Sequence, residues 1–130
     1  MTLSVLTKRA DFLAANKGLR NARAGFVLLT RPNGDAGMRY GITVTKKIGN
    51  AVVRNRMKRR FRELLRAALP ESGLANHDHV LIGRAGGVER DFAQMAEELD
   101  LALTRAAEGK GDSARRPRKG NRNAKSRPRK

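Results

Sequence analysis

The chain has 130 residues, with 29 Lys and Arg against 12 Asp and Glu, a formal net charge of +17 and no cysteine. This length fits one domain, and the charge excess predicts a polyanionic partner, with nucleic acid ahead of an anionic membrane. Without cysteine there are no disulfides or thiolate metal sites, and without an apolar run of ~18 residues there is no membrane span, so we expect a cytoplasmic protein.

The first half of the chain predicts a short helix followed by two strands. Residues 7–17 are rich in helix-forming residues, with Thr7 as a candidate cap. Residues 25–30 form an apolar, β-branched run that turn residues close, and residues 38–45 then alternate with Tyr40 on the apolar face. We expect these two runs to form antiparallel strands.

A long helix is predicted next. Asn50 can cap a helix over residues 51–69, which Pro70 would end, at a length of roughly 28 Å. Its apolar stripe contains Val53, Met57, Phe61, Leu64, Leu65 and Ala68.

The second half closes with one strand and one helix. Residues 80–83 form an apolar strand, and Asp91 with Gln94 resembles a capping box ahead of a helix that reaches Gly109. The order helix, strands, helix, strand, helix predicts an α/β (α+β) single-domain two-layer sandwich with about four strands.

The charge divides the chain into a body, residues 1–108, and a tail, residues 109–130. The tail holds ten Lys and Arg, one Asp and no large apolar residue, so we expect it to be disordered. In the body, residues 46–66 carry nine basic residues against Glu63, and the remainder is neutral overall. One segment therefore holds the whole cationic excess of the folded part.

On a helical wheel, this segment places its cations opposite the apolar stripe. Like charges at i and i+4 repel, so a helix without an anionic partner would normally mix the signs, although a solvated amphipathic helix is the alternative. Gly49 and the lysines before it could also meet a phosphate at the helix N-terminus, or Gly49 could serve only the turn. The predominance of Arg over Lys in the helix and tail favours structured RNA over duplex DNA.

Residues 46–63 closely resemble the signature of the bacterial ribonuclease P protein family, in which Arg54-Asn55-Arg56 matches the "RNR" helix motif. Weaker similarity at Asp11-Phe12, at residues 26–28, at the Gly41 strand and at residues 78–84 extends the resemblance to about residues 5–105. The Arg-rich tail lies outside it.

The resemblance implies a ribosomal-protein-like RNA-binding fold with an unusual left-handed βαβ crossover, against the right-handed rule. It implies a subunit of a tRNA-processing endoribonuclease that binds the catalytic RNA and the 5′ leader of precursor tRNA, assists Mg²⁺-dependent leader removal and broadens substrate specificity. The RNA would carry the chemistry and bind most of the Mg²⁺. This chain would then supply no catalytic or metal-ligating residue and need no obligate protein partner.

Two sets of site residues follow from the resemblance. The leader-binding set is Phe12, Phe26, Tyr40 and Lys46, although each ring also fits a protein core. Asn16 and Leu29 stand where the family often has further aromatics, which gives charge and backbone contacts more weight. The set expected to bind the catalytic RNA comprises Lys46, Lys47, Asn50, Arg54, Asn55, Arg56, Lys58, Arg59, Arg60, Arg62 and Arg66.

Three alternatives remain from the residues alone. A metal-dependent nuclease could use His77-Asp78-His79, but a loop entering a strand also explains these residues. A ribosomal or other structural RNA-binding protein shares the charge, the size and the tail, but would not be expected to carry the signature. A membrane-surface helix would need the apolar stripe exposed, although that stripe is needed to cover the sheet.

Overall fold

The computed structural model of the chain describes residues 3–112. Short 3₁₀ turns at Lys46–Ile48 and Ala85–Gly87 separate the main elements. The elements are β1 (Leu3–Val5), α1 (Arg9–Ala15), β2 (Leu19–Ala22), β3 (Phe26–Pro32), β4 (Met38–Thr43), α2 (Ala51–Ser72), β5 (His77–Gly83) and α3 (Phe92–Ala107).

The five strands form one mixed sheet in the order β1-β4-β5-β3-β2. β1 and β5 each pair with β4 in parallel, whereas β3 pairs with β5 and with β2 in antiparallel fashion. The predicted α/β class is confirmed, but the sheet has five strands rather than about four, because the edge strands β1 and β2 are too short to show an alternating pattern. The β4-α2-β5 connection is the expected βαβ unit, and its left-handed sense stays a prediction.

Helices α2 and α3 cover one face of the sheet and bury the main core. Leu28 and Leu81 lie on neighbouring strands in this core, and Phe26 meets Phe61 of α2 edge-on at 6.2 Å between ring centroids. Edge-to-face rings of this kind add about 0.5–1.5 kcal/mol to the area that they bury. The apolar stripe of α2 is therefore used to cover the sheet.

Helix α1 packs on the opposite face with a smaller cluster that includes Val27, Leu29 and Val80. The ring of Phe12 lies against β4 at Gly41, where a Cβ atom would come within 2.5 Å of the ring. Because α1 has only seven residues, it covers part of this face and leaves a cleft beside it.

Asn50 caps the start of helix α2, and its side-chain oxygen accepts a hydrogen bond from the Val53 N–H at 3.0 Å. The predicted end at Pro70 is wrong, because the helix continues to Ser72. A proline in the last turn removes a single hydrogen bond, the one to the carbonyl of Arg66, so the turn persists around it. No helix within residues 3–112 is long and apolar enough to cross a membrane.

Asp91 caps the start of helix α3 as predicted, and its carboxylate accepts a hydrogen bond from the Gln94 N–H at 3.1 Å. It ends before Gly109, whose φ of 77° is the left-handed conformation that commonly closes a helix. Residues 110–112 then run beside β2, where the Asp112 N–H donates to the carbonyl of Arg20 at 2.6 Å, whereas the whole tail was expected to be disordered when free of RNA. The rest of that expectation concerns residues 113–130, which lie outside the described residues.

Candidate RNA interface

The basic face of α2 consists of six polar residues opposite the buried stripe, and all but the half-buried Lys58 are exposed. No Lys or Arg of this helix lies within 4.0 Å of a carboxylate in the described part of the chain. The cations are therefore present as an unneutralised row, as predicted. The basic face of α2 comprises Asn55, Arg56, Lys58, Arg59, Arg62 and Arg66.

Arg60 differs from its neighbours because its guanidinium is used within the fold. It donates to the carbonyl of Arg90 at 2.6 Å and to that of Val88 at 3.4 Å, and it lies 5.9 Å from the ring centroid of Phe92. The inclusion of Arg60 in the predicted RNA-binding set is thus not supported. This side chain ties α2 to the segment that precedes α3.

The turn before α2 carries the remaining predicted cations. Lys46 and Lys47 are exposed in the 3₁₀ turn. Asn50 uses its side-chain oxygen as the helix cap, and the Nε of Arg54 donates to the carbonyl of Gly49 at 3.2 Å. The two lysines extend the cationic surface beyond the helix. The side chains of Asn50 and Arg54, in contrast, form hydrogen bonds that stabilise the turn itself.

Between α1 and the sheet lies a cleft made of two adjoining cavities of about 450 Å³ and 220 Å³. Arg9, Phe12 and Thr43 line both of them. The larger cavity is completed by Thr7, Ile42, Val44 and Lys58, and the smaller one by Leu13, Asn16, Leu29, Val80 and Ile82.

Of the predicted leader-binding residues, only Phe12 lines this cleft. Phe26 and Tyr40 are 0% and 4% exposed, and both belong to the core under α2 and α3. Their assignment to the cleft is wrong, because alternation along β3 and β4 turns their side chains to the other face of the sheet. Lys46 is exposed in the turn and lines neither cavity.

Sequence reasoning missed several residues of the cleft. Arg9 and Lys58 supply cations at its walls, and Val80 and Ile82 form an apolar floor beside Leu29, a position that the resemblance had already associated with the leader site. The apolar floor could have been predicted from the sequence. Consecutive residues of β3 and β5 are apolar, so both faces of these strands carry apolar side chains, which is typical of strands covered on both faces. Lys58 lies on both the basic face of α2 and the cleft, so the two form one continuous surface.

A charged network lies below α1 at the amino end of β5. The Arg39 guanidinium contacts Asp78 at 2.7 Å and Asp11 at 3.6 Å, and the Asn33 amide donates to Asp78 at 2.8 Å. Burial raises the pKa of Asp78, but the hydrogen bonds from Arg39 and Asn33 outweigh it, so that pKa lies below its ordinary value. The network keeps this buried carboxylate ionised.

The three residues of the nuclease alternative do not converge on one point. Asp78 faces α1 within the network, whereas His79 faces the other side of the sheet, where its Nε2 accepts from the Leu74 N–H and its Nδ1 donates to the Arg39 carbonyl. Burial lowers the pKa of His79, which keeps the ring neutral. Residues 3–112 contain no group of three His, Asp or Glu side chains placed to hold a metal ion.

Comparisons with known proteins agree with the resemblance. A family model described as ribonuclease P matches residues 2–107. A ribonuclease P protein component from Erythrobacter litoralis is 72% identical over 116 residues, which cover 89% of this chain and 96% of the relative. The corresponding protein of Gluconacetobacter diazotrophicus is 47% identical over 104 residues, covering 78% of this chain and 89% of the relative.

Solved structures show the same fold. The ribonuclease P protein of Thermotoga maritima superposes with a TM-score of 0.68 at 34% identity, covering 77% of this chain and 94% of that chain. The protein from Staphylococcus aureus superposes with a TM-score of 0.67 at 34% identity, covering 78% and 94%. With its family match, its sequence relatives and its fold in agreement, this chain belongs to the ribonuclease P protein family.

Proposed function

We propose that this chain binds the catalytic RNA of ribonuclease P through the basic face of α2 and holds the 5′ leader of precursor tRNA in the cleft. The observation that carries the proposal is the position of Lys58, which lies on the helix face and also lines the cleft. An RNA bound along α2 and a strand lying in the cleft would therefore be neighbours. The chain then acts as a cytoplasmic subunit of a tRNA-processing enzyme.

The basic face of α2 is suited to the phosphates of a folded RNA. Asn55, Arg59, Arg62 and Arg66 follow one another at spacings of four, three and four residues, a row of about 16 Å along the helix. Arginine forms planar, two-pronged hydrogen bonds with phosphate and also stacks on unpaired bases. An unneutralised row of this kind gains affinity by releasing the counterions of the RNA.

The cleft is suited to a single strand of varied sequence. Phe12 offers one aromatic surface, and stacking of a base on it is worth about 1–3 kcal/mol whichever base is present. Arg9 and Lys58 stand at the walls, where they can meet the phosphates of the strand. With a single ring in the cleft, charge carries more of the leader binding than stacking does.

We assign the hydrolytic chemistry to the catalytic RNA and its Mg²⁺. The acidic residue buried near the cleft, Asp78, is held by Arg39 and Asn33, so its oxygens are occupied. The exposed surface around the cleft supplies cations rather than carboxylates. The chain would therefore position the substrate next to the catalytic RNA and leave bond cleavage to its partner.

A reconstitution assay tests this division of roles. The purified chain with precursor tRNA and Mg²⁺ is expected to cut nothing, whereas addition of the cognate catalytic RNA at physiological salt should give the mature 5′ end. The chain should also accelerate the reaction beyond that of the RNA alone. Cleavage by the chain alone, or no acceleration of the RNA, would contradict the proposed function.

A further inference from the structure

Helix α1 forms one wall of the cleft, but few contacts hold it on the sheet. It has seven residues, and Lys8 rather than Thr7 occupies its cap position without a side-chain capping hydrogen bond. Ala15, at the end of the helix, is its one buried residue. Because so short a helix is marginal in isolation, its position depends on the contacts that its side chains make with the sheet.

Two consecutive residues near the middle of α1 attach it to β4. The Asp11 carboxylate lies 3.6 Å from the Arg39 guanidinium, and the ring of Phe12 lies against Gly41. Arg39 and Gly41 are two residues apart in β4, and alternation along a strand places both on the face that α1 covers. One charged contact and one aromatic contact therefore hold the helix side by side.

Arg39 offers α1 a rigid point of attachment. Its Nε and Nη2 donate to the two carboxylate oxygens of Asp78 at 2.7 Å and 2.9 Å. Asp78 is 0% exposed and accepts a further hydrogen bond from the Asn33 amide at 2.8 Å. A two-pronged pair of this kind fixes the plane of the guanidinium. The Nη2 group, which is also the atom nearest Asp11, therefore has a defined position.

The face of β4 and β5 under α1 leads from this ion pair to the open cleft. The two strands place three successive pairs of residues on this face, which are Arg39 and Asp78, Gly41 and Val80, and Thr43 and Ile82. Asp11 contacts the first pair, the Phe12 ring covers the glycine of the second, and the third lines the smaller cavity. The Phe12 ring thus lies between the ion pair and the cleft, so the position of α1 decides how the cleft presents the ring.

Building on the proposed function, we propose that Asp11 is a positioning residue for the 5′ leader, which holds α1 on Arg39 so that the Phe12 ring forms a wall of the cleft. Asp11 itself is not among the residues that line the two cavities. Its carboxylate carries the same sign of charge as the leader. Asp11 therefore favours leader binding through the position of α1 and not through a contact with RNA.

The charge of Asp11 and its positioning role predict opposite effects on leader binding. A carboxylate next to the cleft repels the phosphates of a bound strand, so its removal would strengthen leader binding if charge alone acted. If Asp11 holds α1 in place, its removal weakens leader binding in spite of the lost repulsion. The direction of the change therefore distinguishes the two roles.

Asp11→Asn tests the positioning role, because it keeps the size of the side chain and removes the ion pair with Arg39. The measurement is the ratio of the dissociation constants of the reconstituted enzyme for mature and for precursor tRNA. We expect this ratio to fall about two- to fivefold, which corresponds to the loss of a partly exposed ion pair. Thermal melts of the chain show that the variant is folded.

Two control variants isolate the contact with Arg39. Asp11→Glu keeps the charge and can still reach the guanidinium, so the ratio should stay within about twofold of that of the unsubstituted enzyme. Glu97→Gln removes an equal charge from the exposed side of α3, on the opposite face of the sheet, and should leave the ratio unchanged.

A second background tests whether Asp11 acts through Arg39. Arg39→Ala/Asp78→Asn removes the point of attachment without leaving a buried charge, so Asp11→Asn should lower the ratio no further in that chain. The same loss there would mean that Asp11 acts as a favourable charge in the first turn of α1.

The outcomes separate this inference from the proposed function. An unchanged or higher ratio in Asp11→Asn, an equal loss in either control variant, or the same loss in the Arg39→Ala/Asp78→Asn chain would overturn the positioning role alone. Equal binding of precursor and mature tRNA by the unsubstituted enzyme would overturn the proposed leader binding and this inference with it.

Discussion

Lys58 of α2 and Phe12 of α1 line the same 450 Å³ cavity, although their helices pack on opposite faces of the sheet. The cavity reaches from the cleft under α1 past Val44 to the basic face of α2. A single strand in the cleft could therefore stack on the ring and place a phosphate near the ammonium group. This arrangement makes the ring of Phe12 the first group to test.

Phe12→Ala should weaken binding of precursor tRNA to the reconstituted enzyme by about 1–3 kcal/mol, because the leader loses its one stacking surface in the cleft. The measurement is the dissociation constant for precursor tRNA, compared with that for mature tRNA without a leader. Phe12→Leu is the control for packing, since it keeps an apolar side chain against Gly41 but offers no ring. An equal loss with both tRNAs would show that Phe12 does not contact the leader.

Arg39→Ala should destabilise the fold by about 3–5 kcal/mol, because it leaves the carboxylate of Asp78 buried without its cation. Replacement of Asp78 by Asn in the same chain should recover part of the loss, since no unpaired charge then remains. Denaturant unfolding of the two single variants and the double variant measures the coupling. Additive effects would mean that the pair does not stabilise the junction of β4 and β5.

The depressed pKa of Asp78 also predicts how the fold responds to acid. A carboxylate with a lowered pKa in the folded state contributes stability above its unfolded pKa of about 3.9, and this contribution is lost as the pH falls through the folded value. Unfolding free energies measured from pH 5 downwards should therefore fall less steeply in Asp78→Asn than in the unsubstituted chain. Equal slopes would contradict the role assigned to the network.

His79 predicts a second pH dependence at milder acidity. Because burial lowers its pKa in the folded state, the unfolded chain takes up a proton below about pH 6.5 that the folded chain does not, and stability falls by at most about 1.4 kcal/mol per pH unit. His79→Gln should reduce this slope between pH 7 and pH 5, as measured by denaturant unfolding. A slope in His79→Gln equal to that of the unsubstituted chain would refute the assignment.

Local sequence patterns were enough to predict the long elements, in which the apolar residues repeat at a regular spacing over several turns. Helix α2 repeats its apolar stripe over about four turns, and Asn50 and Asp91 cap their helices as expected. The edge strand β2 had no such signal, since it has four residues and includes Asn21, whose buried amide is satisfied by Arg105 and by the carbonyl of Lys110. Its stability depends on residues more than eighty positions away, which no local pattern reveals.

The candidate site was predictable in its charge and less so in its aromatic residues. The row of cations on α2 follows from helical periodicity. The helical wheel could not distinguish Arg60 from the cations that face solvent, because the hydrogen-bond partners of Arg60 are carbonyl groups that precede α3. Phe26 and Tyr40 lie on predicted strands, yet which face of the sheet each one occupies depends on where α1, α2 and α3 pack. Tertiary packing therefore decides which ring is left for a ligand.

The central claim is that the basic face of α2 docks on RNA, and the salt dependence of binding tests it most directly. The slope of log affinity for the catalytic RNA against log salt should flatten in Arg56→Ala/Arg59→Ala by up to ~0.7–0.9 for each phosphate that the variant no longer neutralises. Arg60→Ala is the matched control, because its guanidinium bonds to the carbonyls of Val88 and Arg90, and it should lower thermal stability without changing the slope. A slope unchanged in the double variant, or flattened equally in Arg60→Ala, would contradict the account.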